Sequence, residues 1–357
     1  MSTPIEDYAA IGDTETVALV SLKGSVDWLC LPRFDSSSCF TALLGTPDHG
    51  RWLLGPVDEA RTTRSYREGS FILETIHTTA TGSARVTDLM PLSDGRADIV
   101  RVVEGLEGEV EMEHEWIVRF GYGRVTPWVA HSPGHELDDE VITAIAGNDM
   151  LVLRGSRLPT SVGHHHHDRW TVRAGEHYNF STTWFASHKA IPPPLDLNSR
   201  IRATQERSSK WAARCTYRGP YEAEVMRSLL TLRLLTDTRR GGIVAAPTTS
   251  LPEDFGGVRN WDYRYCWLRD ASLALESLLR SGHVGTAKLW RDWLVRAVAG
   301  DPEDMQIMYA VDGGRELPER ELDHLPGYAG SRPVRIGNGA VDQKQTDVLG
   351  EVMIALE

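Results

Sequence analysis

The apolar residues of this chain change their spacing near residue 190, and this change constrains the fold more than any other feature. From about residue 16 to residue 186, apolar and polar residues alternate. In residues 110–120 one set of alternate positions is mostly charged, and the other set holds Val110, Met112, Trp116, Val118 and Phe120. Alternation of this kind predicts β-strands with one face in a core and one face in water.

Four further segments alternate in the same way and are separated by turn sequences. The segments are residues 71–78, 99–104, 150–154 and 178–186, and the turns include Ser93-Asp94-Gly95 and Ala146-Gly147-Asn148. Glycine, asparagine, aspartate and serine favour turns because they tolerate the backbone angles that turns require. Many short strands with this spacing predict an antiparallel β-sandwich.

Three consecutive prolines, Pro192, Pro193 and Pro194, end the strand pattern. Proline has no backbone N–H to donate to a ladder, so this segment is predicted to be an extended connector. A chain of 357 residues exceeds the usual size of a single core. We therefore predict a multidomain β + α protein, with a β-sandwich over residues 1–190, a connector and linker helix over residues 191–216, and a helical domain over residues 217–357.

After the prolines the spacing of apolar residues becomes helical. A linker helix is predicted over residues 198–214, and helices over residues 221–236, 267–281 and 287–299. Their apolar stripes are, in order, Val225, Leu229, Leu232 and Leu235; Ala271, Leu275, Leu278 and Leu279; and Trp290, Trp293, Leu294 and Ala297. A last helix is predicted to begin near Ala340 and to be still running at Glu357, so the chain is expected to stop inside an element.

Charge and cysteine content exclude several classes of function. The chain has 38 Lys and Arg against 50 Asp and Glu, a net charge of −12, so nucleic acids and anionic membranes are not expected partners. The first residues lack the basic and apolar regions of a signal peptide, and no long apolar run follows, so a cytoplasmic location is expected. The cysteines are too scattered for a zinc site or a disulfide framework, which predicts free thiols; they are Cys30, Cys39, Cys215 and Cys266. No cofactor is indicated, and a phosphate or magnesium requirement stays open.

Residues 256–271 carry the strongest chemical signal. They read Gly-Gly-Val-Arg-Asn-Trp-Asp-Tyr-Arg-Tyr-Cys-Trp-Leu-Arg-Asp-Ala, with four aromatic residues, three arginines and two aspartates. Aromatic faces pack against the C–H faces of a pyranose, and charged forks bind its hydroxyls. The segment therefore predicts a sugar site. The alternative is a buried aromatic cluster with an Arg–Asp ion pair that holds helices together.

Several segments together resemble bacterial glycoside hydrolase family 15, which includes glucoamylase-like enzymes and trehalases. The similarity covers nearly the whole chain, is weaker around residues 120–175, and is carried by residues 5–13, 24–36, 245–253, 260–271, 321–331, 333–338 and 343–351. The resemblance implies an N-terminal antiparallel super-β-sandwich, a linker helix and an (α/α)6 toroid, which is incomplete here.

The resemblance also implies roles for individual residues. Arg269 and Asp270 look like the pair that binds the hydroxyls of the non-reducing glucose, the first by donating and the second by accepting hydrogen bonds. Arg264 is expected to support the site by pairing with Asp262 or Glu253. Trp261, Tyr263 and Trp267 are expected to form walls, and Gln345 and Asp347 a further polar strip. Trp267 fits the core of the helical domain equally well, and Asp347 with Glu351 fits an ordinary solvated helix face.

The family inverts the anomeric carbon, which requires a general acid and a general base about 6.5–9.5 Å apart. In the family both glutamates lie downstream of the segment that resembles residues 343–351, so this chain is expected to contain no catalytic residue and both are expected beyond Glu357. The nearby carboxylates have positioning roles in the pattern; they are Glu253, Asp254, Asp262 and Asp270.

The sequence thus favours an inverting hydrolase of α-glucosides, most simply a trehalase. A glucoamylase-like exo-α-glucosidase acting on malto-oligosaccharides and a non-catalytic carbohydrate-binding or assembly module are the alternatives. A small carbohydrate is the expected ligand, and a homo-oligomer or a separate C-terminal portion the expected protein partner. A run of histidines is predicted to form a mobile polar loop that captures nickel or zinc only adventitiously; it comprises His164, His165, His166 and His167.

Overall fold

The computed structural model describes residues 2–92, 95–134 and 140–356. Its contacts divide the chain into two compact units. The first, here the β unit, comprises Met1–Asp13, Ala18–Pro32 and Ser36–Ser208. The second, here the helical unit, comprises Thr14–Val17, Arg33–Asp35 and Ser209–Glu357. Glu357 and two residues of the predicted turn at 93–95 lie outside the described residues.

The β unit is a large sheet of 15 strands. Every strand pair described in it is antiparallel, as the alternating segments predict. The strands are β1 Tyr8–Gly12, β2 Val17–Ser21, β3 Ser25–Cys30, β4 Ser38–Phe40, β5 Arg51–Pro56, β6 Arg61–Tyr66, β7 Leu73–Thr78, β8 Gly82–Leu89, β9 Ala97–Ile117, β10 Trp128–Pro133, β11 Glu140–Ala146, β12 Asp149–Gly155, β13 Thr160–Val162, β14 His165–Arg173 and β15 His177–Ala186.

Strand β9 joins the two halves of this sheet. Its first half pairs with β8 and β15, and its second half pairs with β5 and β14. Gly108 lies between the halves with φ at 57°, and a Cβ there would meet the Thr81 carbonyl oxygen at 2.1 Å. Only glycine adopts this conformation without strain, so this residue allows one strand to serve both halves.

The inner faces of both halves contribute to one apolar core, with Trp52 and Trp116 from one half and Leu153 and Phe180 from the other. The predicted alternation of residues 110–120 is present as far as Trp116, but the strand ends at Ile117. The chain then makes a single turn, α1, at Phe120–Gly123, which includes left-handed backbone angles. Phe120 is buried in this turn and not on a strand.

Arg101 and His114 are among the polar residues buried inside the β unit. The fully buried Arg101 donates through Nε to Asp88 at 2.7 Å, and its Nη atoms donate to the carbonyls of Trp52 and Gly24 at 2.8 and 2.7 Å. His114, on the inner face of β9, accepts a hydrogen bond at 2.9 Å from the Trp52 indole. Burial lowers the pKa of His114 to about 3, so the imidazole is neutral.

The histidine run is not a mobile loop, and that prediction was wrong. Residues from His165 onward form β14, which pairs with β13 and β9. His166 points inward, with its ring 6.0 Å from that of Trp116, while His167 points outward, 2.9 Å from Glu113. Alternating burial of this kind suits a strand. Within the described residues, no group of three or more His, Cys, Asp or Glu side chains could hold a metal ion.

The helical unit contains helices joined by long irregular segments. Helix α2, Leu197–Ala212, runs from the β unit into the helical unit. The helices that follow it are α3 Glu222–Leu234, α4 Leu268–Arg280, α5 Val284–Ala297 and α6 Thr346–Leu356. Helix α4 packs against α3, α5 and α6. Two short antiparallel ladders pair β16 Cys266–Trp267 with β17 Met308–Tyr309, and β18 Arg320–Glu321 with β19 Arg335–Ile336.

Several helix details differ from the predictions. The last helix begins at Thr346 and not near Ala340, because residues 339–342 form a 3-10 turn capped by Asn338 and the chain is extended at Gln343. Leu279, assigned to the stripe of α4, is 46% exposed. In α3 the buried residues are Leu229, Leu230 and Leu234, whereas Leu232 and Leu235 are only partly buried.

All four cysteines fall within the described residues, and each is buried with a free thiol. A search of the helices in the described ranges found none with the length and apolarity that a membrane crossing requires.

Candidate functional site

The segment that precedes α4 alternates between buried and accessible side chains. Asn260, Asp262 and Arg264 are fully buried, whereas Trp261 and Tyr263 are only partly buried. A locally extended backbone places successive side chains on opposite faces. One face of this segment is therefore fixed in the interior of the helical unit, and the other is presented to solvent.

The buried face is held by a bidentate ion pair. Arg264 donates to the Asp262 carboxylate through Nε at 2.8 Å and through Nη2 at 2.6 Å, and both side chains are fully buried. The same carboxylate accepts from the Gly337 backbone N–H at 3.2 Å, and Asn338 donates to the Asp262 carbonyl at 2.9 Å. Arg264 thus pairs with Asp262 and not with Glu253. It supports the segment and cannot itself touch a ligand.

A second charged group lies at the start of α4 and is accessible. Arg269 Nη1 donates to Gln345 Oε1 at 3.0 Å and to Asp347 Oδ2 at 3.1 Å, and its Nε lies 3.5 Å from Asp270 Oδ1. The side chains of Arg269, Asp270 and Asp347 are 38%, 47% and 52% exposed. The structure therefore brings together four of the predicted site residues, although Arg269 and Gln345 are 76 positions apart in the chain.

The charges in this cluster stabilise each other. The hydrogen bond to Asp347 raises the pKa of Arg269, and the hydrogen bond from Arg269 lowers the pKa of Asp347. Asp347 therefore remains an ionised acceptor. Asp270 lies in the first turn of α4, where the partial positive charge of the helix N-terminus favours a carboxylate. The cluster thus offers one strong donor and two acceptors at neutral pH, which suits the hydroxyls of a sugar.

Two of the predicted aromatic walls lie together beside this cluster. The rings of Tyr263 and Trp267 are 6.2 Å apart at 51°. The Tyr263 hydroxyl lies 3.5 Å from Glu253 Oε1. Partial burial, and then the charges of Glu253 and Asp270, raise the pKa of Tyr263, so its hydroxyl keeps its proton. Trp267 is held by the β16–β17 ladder and is half-buried, so it both packs and borders the site.

The third aromatic wall is partly occupied by another side chain. The guanidinium carbon of Arg335 lies 4.7 Å from the centre of the Trp261 ring. Arg335 is itself held by Glu319 at 3.3 Å and Glu321 at 3.5 Å. One face of Trp261 is therefore covered by a side chain of the chain itself. The sequence contained no signal for this contact, because a cation–π pair between residues distant in the chain depends on the tertiary fold.

A cavity of about 520 Å³ is lined in part by Gln345. Its lining combines apolar side chains, carboxamides and two charged residues, and includes Met305, Ile307, Gln306, Gln343, Glu303 and Lys344. Residues 302–307 were not predicted to lie near the site, since their spacing matches no motif. The cavity leaves room for a ligand group beside the cluster of Arg269, Asp270, Gln345 and Asp347.

Comparisons with known proteins show which family and fold the chain resembles. The chain matches the structure of a bacterial glucoamylase complexed with acarbose with a TM-score of 0.61 at 12% identity, over 88% of this chain and 53% of that one. This likeness shows a shared fold, with a β domain followed by helices. Residues 1–137 match the model "Trehalase-like, N-terminal", and residues 219–357 match "Glycosyl hydrolases family 15". The predicted resemblance to glycoside hydrolase family 15 is thus confirmed.

The relatives are trehalases from bacteria and archaea. Those of Mycolicibacterium smegmatis and Mycobacterium tuberculosis are each 34% identical to this chain over 98% of it. That of Thermoplasma volcanium is 33% identical over 99% of the chain. The chain spans only 55–56% of the length of these three relatives.

Proposed function

We propose that the whole protein hydrolyses α-glucosides with inversion at the anomeric carbon, and that its substrate is trehalose. The observation that carries this proposal is the accessible cluster of Arg269, Asp270, Gln345 and Asp347 beside the Tyr263 and Trp267 rings. The names of the relatives favour trehalose over other α-glucosides. The helical unit is proposed to be the first part of an (α/α)6 toroid, and the β unit a super-β-sandwich.

In this proposal the cluster binds the non-reducing glucose. Arg269 donates to two ring hydroxyls, and Asp270 accepts from one of them, so that the sugar is held in one orientation. Asp347 keeps the guanidinium in place, since the hydrogen bond between them is already formed at 3.1 Å. Tyr263 and Trp267 cover the apolar faces of the ring. Orientation of this kind lowers the entropic part of the barrier before any proton moves.

Binding alone does not complete an inverting mechanism. The reaction needs a carboxylic acid with a raised pKa and a second carboxylate about 6.5–9.5 Å away. Asp347 does not suit the role of general acid because its pKa is lowered. Asp262 suits neither catalytic role because it is fully buried in an ion pair with Arg264. We propose that both catalytic carboxylates belong to the part of the relatives' length that this chain does not span.

The test is glucose release from trehalose, maltose and soluble starch, measured for this chain and for the protein extended to the length of the relatives. We expect release from trehalose by the longer protein, with α- and β-glucose appearing in equal amounts at first by NMR, because the attacked unit is inverted and the other unit leaves with its α configuration. No release is expected by the 357-residue chain. Preference for maltose and starch would instead support the glucoamylase-like alternative, which the fold similarity to bacterial glucoamylase favours. Sugar binding without hydrolysis by either protein would support a non-catalytic module.

A further inference from the structure

A short loop next to the candidate site presents apolar side chains to solvent. The loop comprises residues 253–259 and is here called the tip loop. Phe255 and Val258 are 73% and 67% exposed. Single exposed apolar residues are common on protein surfaces and by themselves need no explanation. The tip loop is different because its backbone is fixed at several points.

Three sets of contacts hold the tip loop. Its ends are joined by a hydrogen bond from the Glu253 N–H to the Arg259 carbonyl at 3.2 Å and by an ion pair between their side chains at 3.0 Å. The Gly256 N–H donates to Ser331 Oγ at 2.9 Å. Arg335 Nη1 donates to the Val258 carbonyl at 2.8 Å. An exposed aromatic side chain on an anchored backbone loses little further freedom when it binds a ligand.

The surroundings of Phe255 also support a site. Its ring lies 6.1 Å from that of the buried Tyr328, at an angle of 35°, so one side is supported while the side chain remains mostly open. Two non-glycine residues in segments that contact the tip loop have left-handed backbone angles: Ser250 with φ at 55° and Ala329 with φ at 49°. Such conformations carry strain and concentrate at functional sites.

The tip loop is connected through Tyr263 to the cluster of Arg269, Asp270, Gln345 and Asp347. The Tyr263 hydroxyl is 3.5 Å from Glu253 Oε1, and the Asp270 charge acts on the same Tyr263. Phe255 is two residues after Glu253, and two residues span at most about 7 Å of backbone. Asp270, Tyr263, Glu253 and Phe255 are thus connected step by step, and the last of them is a mostly exposed aromatic ring.

We propose that Phe255 is the stacking platform for the second sugar unit of a disaccharide whose first unit is bound at Arg269 and Asp270. This inference rests on the proposed function. The first unit is bound through its hydroxyls by charged groups, whereas the second is bound through its apolar face, which a phenyl ring recognises. Phe255 is therefore a specificity residue: it distinguishes a disaccharide from a single glucose.

The experiment compares two ligands on the 357-residue chain by saturation-transfer NMR and calorimetry. Methyl α-glucoside occupies only the first position, and trehalose occupies both. We expect Phe255→Ala to weaken trehalose binding about 3- to 10-fold and to leave methyl α-glucoside binding unchanged. Phe255→Trp should restore trehalose binding. Val258→Ala, an equally exposed position in the same loop, is the matched control and should change neither affinity.

A further variant, Arg269→Gln, separates the two proposals and should weaken both ligands. If Phe255→Ala changes neither affinity, or changes both equally, while Arg269→Gln weakens both, the stacking role is wrong and the sugar site stands. If Phe255→Ala alters only the association state of the chain, the tip loop is a protein contact and the inference is overturned. If the unsubstituted chain binds neither sugar, the proposed sugar site is overturned and the stacking role with it.

Discussion

The two ion pairs near the start of α4 should respond to substitution in opposite ways. The Asp262–Arg264 pair is fully buried, whereas the Arg269 and Asp347 side chains are 38% and 52% exposed. Asp262→Asn leaves a guanidinium in the interior without its counter-charge, and Arg264→Met leaves a buried carboxylate. Arg269→Met and Asp347→Asn leave groups that water can solvate.

The magnitudes follow from burial. Removing one member of a buried pair costs about 3–5 kcal/mol, because the remaining charge is desolvated and uncompensated. We therefore expect Asp262→Asn and Arg264→Met each to destabilise the helical unit by about that amount. The double variant should cost less than the sum, since no orphaned charge remains. An exposed pair contributes little to stability because water screens its charges, so Arg269→Met and Asp347→Asn should leave stability nearly unchanged.

Cys266 provides a local reporter for the assay. It is fully buried in the helical unit, two positions from Arg264. Labelling of its thiol under native conditions, followed by mass spectrometry of the corresponding peptide, measures the free energy of local opening. Labelling of Cys266 should accelerate strongly in the buried-pair variants and little in the exposed-pair variants, and the exposed-pair variants should weaken sugar binding without this acceleration. Equal labelling in all four single variants would refute this division between a supporting pair and a ligand-binding pair.

Three further predictions concern other parts of the chain. The pKa of His114 is lowered to about 3 from 6.5, so between these values the unfolded state binds more protons and stability falls as pH decreases, by up to about 1.4 kcal/mol per pH unit. His114→Gln should remove this part of the slope in urea titrations at pH 7, 5 and 4, and an unchanged slope would contradict the assignment. Gly108→Ala should destabilise the β unit by at least about 1–2 kcal/mol, because φ is 57° and the new Cβ would meet the Thr81 carbonyl at 2.1 Å; Gly147→Ala, with φ at 60° but no neighbour within 4 Å, isolates the steric part in the same melting experiment. Helix α6 exposes Met353 and Ile354 at 65% and 70%, so the chain should bind a hydrophobic dye and self-associate, and Met353→Gln with Ile354→Gln should reduce both, as measured by fluorescence and light scattering.

The strands were predictable wherever one face is apolar and the other charged. Residues 110–116 show this because Val110, Met112 and Trp116 point inward. The pattern fails where polar groups are buried, since a buried polar group depends on a partner from another strand. His114 is inward because the Trp52 indole donates to it, and His166 is inward because its ring packs on Trp116. Neither contact can be read from local spacing.

The helical unit shows a similar limit. The stripe of α4 predicted Ala271, Leu275 and Leu278 as buried, as observed, but not the exposure of Leu279, which depends on which neighbours reach that face. The start of α6 was misplaced because Asn338 caps a 3-10 turn before the helix begins. In the sequence, a capping residue followed by an apolar run can begin either a 3-10 turn or an α-helix. Only the extended backbone at Gln343 separates the two elements here.

The candidate site could be described only from the sequence and the structure together. Composition of residues 256–271 indicated a sugar site, but it left open an ion pair with a purely structural role. The structure contains the ion pair and, on the other face of the segment, the aromatic residues of the proposed site, because the segment alternates: Asp262 and Arg264 face inward and pair, while Trp261 and Tyr263 face outward. The inward pair also ties the segment to Gly337 and Asn338, so the outward aromatics are held on a fixed backbone. A site that binds sugar through ring faces needs such rigidity, since stacking is weak unless the ring is already oriented. The structural pair is thus the condition under which the accessible Arg269–Asp270 pair and its aromatic walls can recognise a sugar.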